Sequence, residues 1–271
     1  MGEALSEEEI RRVIEAVAGT EAVLVAGQAI SVWATYYADR IPELQQVGVY
    51  VSRDVDFYGD REAARTCARR LDGDVRVATA SDAFDGAPIN SAVVSFQGES
   101  GHERRVDFLA NVHGVLRGSQ IRERAVPLDF GSGTFLIIDP ISQLQTRLAN
   151  LTSLRRGQPA ARFQASIAVW VAREWLVDVL SEHGARPALR AIERLFRLAR
   201  LRQASLASVL YGVEVFDAIQ PLAGLPEEFG ATRYPQMSRW VARRRARLRD
   251  SQGDRLVGPS SSGQARDRSR G

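Results

Sequence analysis

The spacing of apolar residues changes at Asp139-Pro140, and this change limits the fold more than any other feature of the chain. Before it, short β-branched runs that alternate apolar and polar residues lie between helical segments; after it, apolar residues recur at helical spacing. Strands mixed with helices are typical of α/β and α+β domains, whereas helical spacing alone is typical of packed helices. We therefore predict an α/β (α+β) domain over 1–139, with a mixed sheet flanked by helices, and a helical domain over 140–250.

The individual segments follow from the same patterns. Ser6 and Glu9 form a capping box that predicts a first helix over 6–18. The rest of the α/β half is predicted to contain helices at 28–38 and 61–71, strands at 22–26, 47–58, 75–78, 89–97 and 103–109, and a hairpin of strands at 124–128 and 134–138. The helical half is predicted to contain helices at 141–154, 160–183, 187–201, 205–219 and 235–250. Residues 251–271 have almost nothing to bury, so we predict a disordered tail there.

The chain contains no lysine, so all 36 basic side chains are arginines. This excludes the phosphate-binding lysine of Walker-A loops and of kinases, and it excludes Schiff-base chemistry. Any side-chain clamp on phosphate must therefore use arginine. The net charge is only +3, so affinity for a polyanion depends on where the arginines cluster.

Two features bear on the cellular setting. The longest apolar stretches fall far short of the ~20 residues needed to span a bilayer, so no membrane partner is expected. The first residues lack the basic start and apolar run of a secretory signal, which favours the cytoplasm.

The single cysteine, Cys67, lies on a predicted amphipathic helix, where we expect a small buried apolar side chain.

Three aspartates interrupt strands that are otherwise apolar. Asp54 and Asp56 are two residues apart, so a strand directs both side chains to one face, where they repel each other unless a cation joins them. Asp107 interrupts a second strand, and a neighbouring strand ~4.8 Å away would bring it to the same ions. Three carboxylates of this kind suit Mg²⁺ or Mn²⁺ and a two-metal displacement at phosphorus. The alternative is that the D-x-D tripeptide lies on a solvated strand face or in a turn.

The segments Val25-Ala-Gly-Gln-Ala-Ile30, Trp33 and Ser52-Arg-Asp-Val-Asp-Phe57 together resemble the nucleotidyltransferase superfamily, in particular its AbiEii-type toxin-like, or minimal nucleotidyltransferase, branch. The resemblance extends over about 22–154 and includes Asp107 and Asp139-Pro-Ile-Ser-Gln-Leu144. It implies a nucleotidyltransferase-like sheet and transfer of a nucleotide from a nucleoside triphosphate to an acceptor hydroxyl. The implied catalytic and metal-binding residues are Asp54, Asp56 and Asp107.

The same resemblance implies nucleotide contacts at Gly27, Gln28, Ser52 and Arg147. Gly27 belongs to the turn that leads into a helix N-terminus, where free backbone N–H groups suit phosphate. Arg147 lies near the place where these relatives commonly carry a lysine. RNA and an antitoxin-like protein are the partners implied, with a protein side chain or a small molecule as alternative acceptors.

Two departures from the family pattern keep a non-catalytic reading open. Ala26 occupies the position of the first glycine, and its Cβ would hinder a positive φ if the turn requires one. The usual lysine is also absent. The alternative to an enzyme is therefore a module with the same fold that binds a nucleotide or a partner.

Other candidate residues have simpler explanations. Six arginines between Arg239 and Arg249 predict a basic C-terminal helix, which is either a surface for RNA phosphates, as in a simple RNA-binding protein, or a solvated helix end. The three histidines show no ligand spacing, so we expect no zinc site. Asp129-Phe-Gly-Ser-Gly133 is predicted as a hairpin turn, and Asp139 as a helix N-cap.

Overall fold

The computed structural model describes residues 5–45, 55–79, 90–115, 118–129, 133–154 and 158–256, the last six of them as backbone only. The first part of the predicted strand 47–58, with Ser52 and Asp54, lies outside the described residues. So do most of the predicted turn at 129–133 and the end of the predicted tail, 257–271.

Seven strands of the described residues form one mixed sheet in the order β3-β4-β5-β2-β1-β7-β6. The strand bounds are β1 Val23–Val25, β2 Val55–Tyr58, β3 Asp74–Val77, β4 Asn90–Gln97, β5 Glu103–Leu109, β6 Val126–Asp129 and β7 Thr134–Ile137. The pairs β2–β5 and β1–β7 are parallel, and the other four pairs are antiparallel. The predicted mixed sheet is confirmed, as is the predicted hairpin of β6 and β7.

The helices of this half are α1 Glu7–Val17, α2 Ala26–Tyr36, α3 Pro42–Gln45, α4 Arg61–Leu71 and α5 Ser119–Glu123. The predicted capping box at the start of α1 is confirmed, with Ser6 and Glu9 each bonded to the other's backbone N–H. The helix α2 begins at Ala26 rather than at Gln28. The four- and five-residue helices α3 and α5 are too short to show a period and were not predicted.

Beyond β7, every described element is helical. The α-helices are α6 Pro140–Ala149, α7 Pro159–His183, α8 Ala185–Ala199, α9 Arg202–Tyr211 and α10 Tyr234–Leu256. The prediction of one helix over 205–219 is wrong, because Gly212 adopts a left-handed conformation with φ 69° and ends α9 at Tyr211. A separate 3₁₀ turn follows at Val215–Ala218. The helix α10 continues past the predicted end at 250 to Leu256, into the predicted tail.

Helix α2 joins the sheet to the helical half. Its fully buried Trp33 donates a hydrogen bond from Nε1 to the backbone oxygen of Ile138 at 2.9 Å. At the end of the helix, the hydroxyl of Tyr37 donates to Asp178 of α7 at 2.7 Å, and Arg40 pairs with the same carboxylate. Burying a side chain of this size contributes about 1.5–3 kcal/mol, so α2 is held in place from both sides. None of the described helices is long and apolar enough to cross a bilayer.

Candidate functional site

Two of the three predicted carboxylates lie side by side on neighbouring strands. In the parallel pair β2–β5, Asp56 is directly opposite Asp107. Their neighbours Val55, Phe57, Val106 and Phe108 are completely buried, and the rings of Phe57 and Phe108 stack with centroids 5.6 Å apart. Because side chains alternate along a strand, both aspartates point to the opposite face, where they are half-buried. The sheet therefore holds two carboxylates about one strand spacing, ~4.8 Å, apart at the backbone.

A hydrogen bond from the next strand orients one of these carboxylates. Asn90, the first residue of β4, donates from Nδ2 to Oδ1 of Asp107 at 3.0 Å. The amide therefore limits the rotation of the Asp107 side chain. Sequence reasoning did not find Asn90, because an asparagine at a strand end has no distinctive pattern.

The predicted glycine turn lies at the same edge of the sheet. In the antiparallel pair β1–β2, Val25 is opposite Asp56, and α2 starts at the next residue, Ala26. The first turn of α2, which includes Gly27 and Gln28, is thereby placed beside the carboxylates. No side chain caps this helix start, so its backbone N–H groups are suited to an anion.

Ala26 has a positive φ, which is the conformation that we expected its Cβ to hinder. Its φ is +56°, in the left-handed region that an L-residue with a Cβ enters at a cost of about 1–2 kcal/mol. The side chain of Gln143 supports this turn from α6, donating from Nε2 to the Ala26 backbone oxygen at 2.8 Å. The turn is therefore strained at one residue and held by a partly buried hydrogen bond.

Two buried amide oxygens on α2 and α6 have no hydrogen-bonding partner among the described residues. They are Oε1 of Gln143, whose side chain is completely buried, and Oε1 of Gln28, which is 5% exposed. Because the carboxamide of Gln143 already contacts Ala26, its oxygen lies at the start of α2 as well. A buried acceptor without a donor is costly, which suggests that a ligand or water supplies the donor.

Arg147, the predicted phosphate contact, is buried rather than open to solvent. It lies one helical turn after Gln143 on the same side of α6 and donates from Nη1 to Oε1 of Gln164 on α7 at 2.9 Å. The structure thus places it behind the turn of α2, in a polar layer between α6 and α7. The four-residue spacing of Gln143 and Arg147 places them on one face of a helix and could have indicated this layer from the sequence. No sequence pattern indicated Gln164.

A pocket of about 490 Å³ opens at the carboxyl end of β2, beyond Tyr58. Tyr58 shares a strand face with Asp56, but the pocket lies at the end of β2 away from the start of α2. Its arginine Arg122 lies over the Tyr58 ring and pairs with Asp60 at 3.5 Å. Acidic and basic side chains are therefore mixed there, and the pocket does not by itself indicate an anionic ligand.

The remaining candidates have structural roles in the described part of the chain. Cys67 is fully buried, and burial raises the pKa of its thiol to about 12, so it is not a reactive thiolate. Asp139 caps α6 as predicted, accepting from the backbone N–H groups of Ile141 and Ser142. His113 bonds to Ser153 at 2.7 Å. The described residues contain no group of three or more metal-binding side chains, and Asp54 lies outside them.

Comparisons with known proteins add little to this geometry. No family model and no curated protein matches the chain. Among solved structures, the chain is similar to the crystal structure of JHP933 from Helicobacter pylori, with 13% identity, 93% of this chain and 100% of that chain covered, and a TM-score of 0.38. A likeness at this level carries no argument about function, so functional inference depends on the site itself.

Proposed function

We propose that this protein is a metal-dependent nucleotidyltransferase that moves a nucleotide from a nucleoside triphosphate to an acceptor hydroxyl. The observation that carries the proposal is the register of three strands. Asp56 is opposite Asp107 on one side and Val25 on the other, so two carboxylates and the start of α2 meet at one edge. Together with the motif resemblance, this supports binding of a triphosphate beside the aspartates.

The donor set fits a magnesium or manganese ion. Carboxylate oxygens are the ligands that Mg²⁺ prefers, and two carboxylates on adjacent strands can share one ion. Asp56 and Asp107 would hold the ion, with Asp54 as the third ligand that the sequence predicts. The ion, when bound, neutralises charge on the phosphates and lowers the pKa of the attacking hydroxyl.

The other groups of the site have complementary roles in this proposal. Backbone N–H groups in the first turn of α2 would donate hydrogen bonds to oxygens of the triphosphate, and Gly27 brings no side chain between backbone and ligand. The amide oxygens of Gln28 and Gln143 accept hydrogen bonds, so they suit a ribose hydroxyl or a base amino group rather than phosphate. Arg147 acts indirectly in this proposal, because the polar layer between α6 and α7 to which it belongs positions Gln143 and the turn.

The reaction is a single displacement at phosphorus. The oxygen of the acceptor hydroxyl forms a bond to the α-phosphorus, and the bond from this phosphorus to the bridging oxygen of the β-phosphate breaks. Pyrophosphate leaves with the electron pair of that bond. The hydroxyl proton passes to the carboxylate of Asp107, which Asn90 orients, and from there to solvent.

A non-catalytic binding module with the same fold is the second candidate. Two observations favour it: Ala26 strains the turn that would contact the triphosphate, and Arg147, the expected phosphate contact, is buried and donates a hydrogen bond to Gln164. Such a module would bind a triphosphate with Mg²⁺ and transfer nothing. For the enzyme, the resemblance further leads us to propose RNA as acceptor and an antitoxin-like protein as partner, and we propose action in the cytoplasm.

The test is transfer of label from nucleoside triphosphates that carry radioactive phosphorus at the α-position. The purified protein is incubated with Mg²⁺, each triphosphate in turn, and total RNA or cell lysate. We expect labelling by the wild type and a loss on the order of 100-fold or more in Asp56→Ala and in Asp107→Ala, because ligands of the ion are removed. Asp74→Ala, an exposed aspartate of β3, is the matched control and should retain activity. Triphosphate binding without transfer would support the binding module instead.

A further inference from the structure

A cleft between α9 and α10 gathers positive charge in the helical half. Its volume is about 480 Å³, and it is lined by Arg202, Ser205, Trp240, Arg243, Arg244, Arg247 and Leu248. We call this the arginine cleft. Four of its seven lining residues are arginines and none is acidic, so the cleft is complementary to an anion.

Two arginines near the cleft are paired with acidic side chains, unlike those that line it. Arg245, on the same helix, pairs with Glu214, and Arg233 pairs with Glu193. In the described part of the chain, no acidic side chain forms an ion pair with Arg202, Arg243 or Arg247. Arg243 and Arg247 are also four residues apart on one helix face, where like charges repel. The helix tolerates a repulsion that an anionic ligand would remove.

Trp240 orients one arginine of the cleft, Arg244, and the neighbouring Arg200. Arg200 and Arg244 lie over its ring at 5.0 and 5.5 Å from the centroid, and Phe196 meets the ring edge-on at 5.9 Å. Stacking on an indole restricts a guanidinium to one plane and leaves its N–H groups at the rim. Arginines that are ordered before binding lose less entropy when they bind phosphate.

The N-terminus of α9 opens into the same space. Arg202 is the first residue of this ten-residue helix, Ser205 belongs to its first turn, and both line the cleft. The N-cap residue is Leu201, which makes no side-chain capping bond. The first N–H groups of α9 and its dipole therefore add to the positive potential of the arginines.

We propose that the arginine cleft binds the backbone phosphates of single-stranded RNA. Guanidinium forks match phosphate oxygens in pairs, and the charges follow one another along a helix, as phosphates do along a strand. The guanidinium planes of Arg200 and Arg244, which lie over Trp240, offer stacking partners for bases, which an acidic peptide would not use. A membrane surface is less suitable, because the arginines line a concavity. If the protein transfers a nucleotide as proposed above, the bound RNA would be its acceptor. Only this last step rests on the proposed function; RNA binding by the cleft does not.

The test is binding of a fluorescently labelled single-stranded RNA oligonucleotide, measured by anisotropy in EDTA and without triphosphate. The variant Arg243→Gln/Arg247→Gln is compared with Arg69→Gln/Arg105→Gln, which removes the same charge from exposed positions on α4 and β5. We expect the cleft variant to bind on the order of tenfold more weakly. Its slope of log affinity against log salt should fall by about 1.4, since each phosphate contact on a single strand contributes about 0.7. The control should match the wild type.

Three outcomes would overturn the proposal: no RNA binding by the wild type, equal losses in the cleft and control variants, or binding of polyglutamate or anionic vesicles as tightly as RNA. The proposed nucleotide transfer is tested independently of this RNA site. Asp56→Ala should bind RNA in EDTA like the wild type, because the aspartates are not part of the cleft. RNA binding without nucleotide transfer would therefore remove the proposed function and leave the RNA site.

Discussion

Like charges are brought together in two regions of this protein, the carboxylate edge of the sheet and the arginine cleft of the helical half. At the sheet edge, the parallel register of β2 and β5 places Asp56 opposite Asp107. In the cleft, helical spacing places Arg243 and Arg247 on one face. By contrast, the buried Glu9 is paired with Arg104 inside the fold. A matched pair of this kind stabilises the fold by itself, whereas gathered like charges suit an ion or ligand of opposite charge.

The largest effect is expected from breaking a matched pair. Asp139 is 2% exposed and accepts a hydrogen bond from Nη2 of Arg194 at 3.0 Å, and burial lowers the pKa of that guanidinium despite this carboxylate. Arg194→Met leaves the Asp139 charge buried, so we expect a loss of about 3 kcal/mol or more in the free energy of unfolding. Adding Asp139→Asn, which keeps an N-cap acceptor without charge, should recover much of it. Chemical denaturation measures both; an equally unstable double variant would contradict the pairing argument.

The next effect concerns the carboxylate edge. Magnesium should raise the melting temperature of the wild type, because an ion that binds only the folded state stabilises it by about 2.7 kcal/mol at one hundred times its dissociation constant. Asp56→Asn and Asp107→Asn should abolish this dependence, because each substitution removes a ligand of the ion. Asp74→Asn is the control. A magnesium effect that persists in Asp56→Asn would place the ion elsewhere.

A third prediction uses pH to test the matched pair in α1. Burial alone would raise the pKa of Glu9, but hydrogen bonds from the Ser6 N–H, from Arg104 and from the Glu99 N–H outweigh it and lower the pKa below 4.5. A lowered pKa means that the stabilisation is present above pH 4.5 and is lost as the pH falls through the folded-state value. At neutral pH, Glu9→Gln should cost about 2 kcal/mol. The difference between variant and wild type should shrink in acid; a constant difference would show that the charge is unimportant.

The sequence was sufficient to predict the sheet, its flanking helices and the strand face of Asp56, because these depend on local alternation and spacing. It was not sufficient for the register of β2 against β5, since β3 and β4 lie between them in the chain and adjacency depends on the whole sheet. The end of α9 was missed because Gly212 interrupts an apolar pattern that continues beyond it. Asn90 and Gln143 act through contacts with distant residues, which no local pattern records.

A smaller effect on stability is expected at the turn of α2, where the sequence indicated that the Cβ of Ala26 would hinder a positive φ. Because Ala26 has φ +56°, Ala26→Gly should relieve about 1–2 kcal/mol of strain while losing about 0.5–1 kcal/mol to the flexibility of glycine. We expect a net stabilisation of up to about 1 kcal/mol. Ala29→Gly, at a buried position inside the same helix, should destabilise instead. If both variants lose stability, the left-handed conformation at Ala26 is wrong.

The smallest expected effect is a change in stability that distinguishes the cleft arginines of α10 from Arg245, which is paired with Glu214. Arg243→Gln/Arg247→Gln removes a like-charge pair at helical spacing, so it should stabilise the protein by about 0.2–0.5 kcal/mol at low salt. The gain should vanish in high salt, which screens exposed charges. Arg245→Gln, which breaks the pair with Glu214, should change stability in the opposite direction. Opposite signs on one helix would show that the fold does not require the cleft arginines, which leaves ligand binding as the reason for gathering them; equal signs would make them ordinary surface charges.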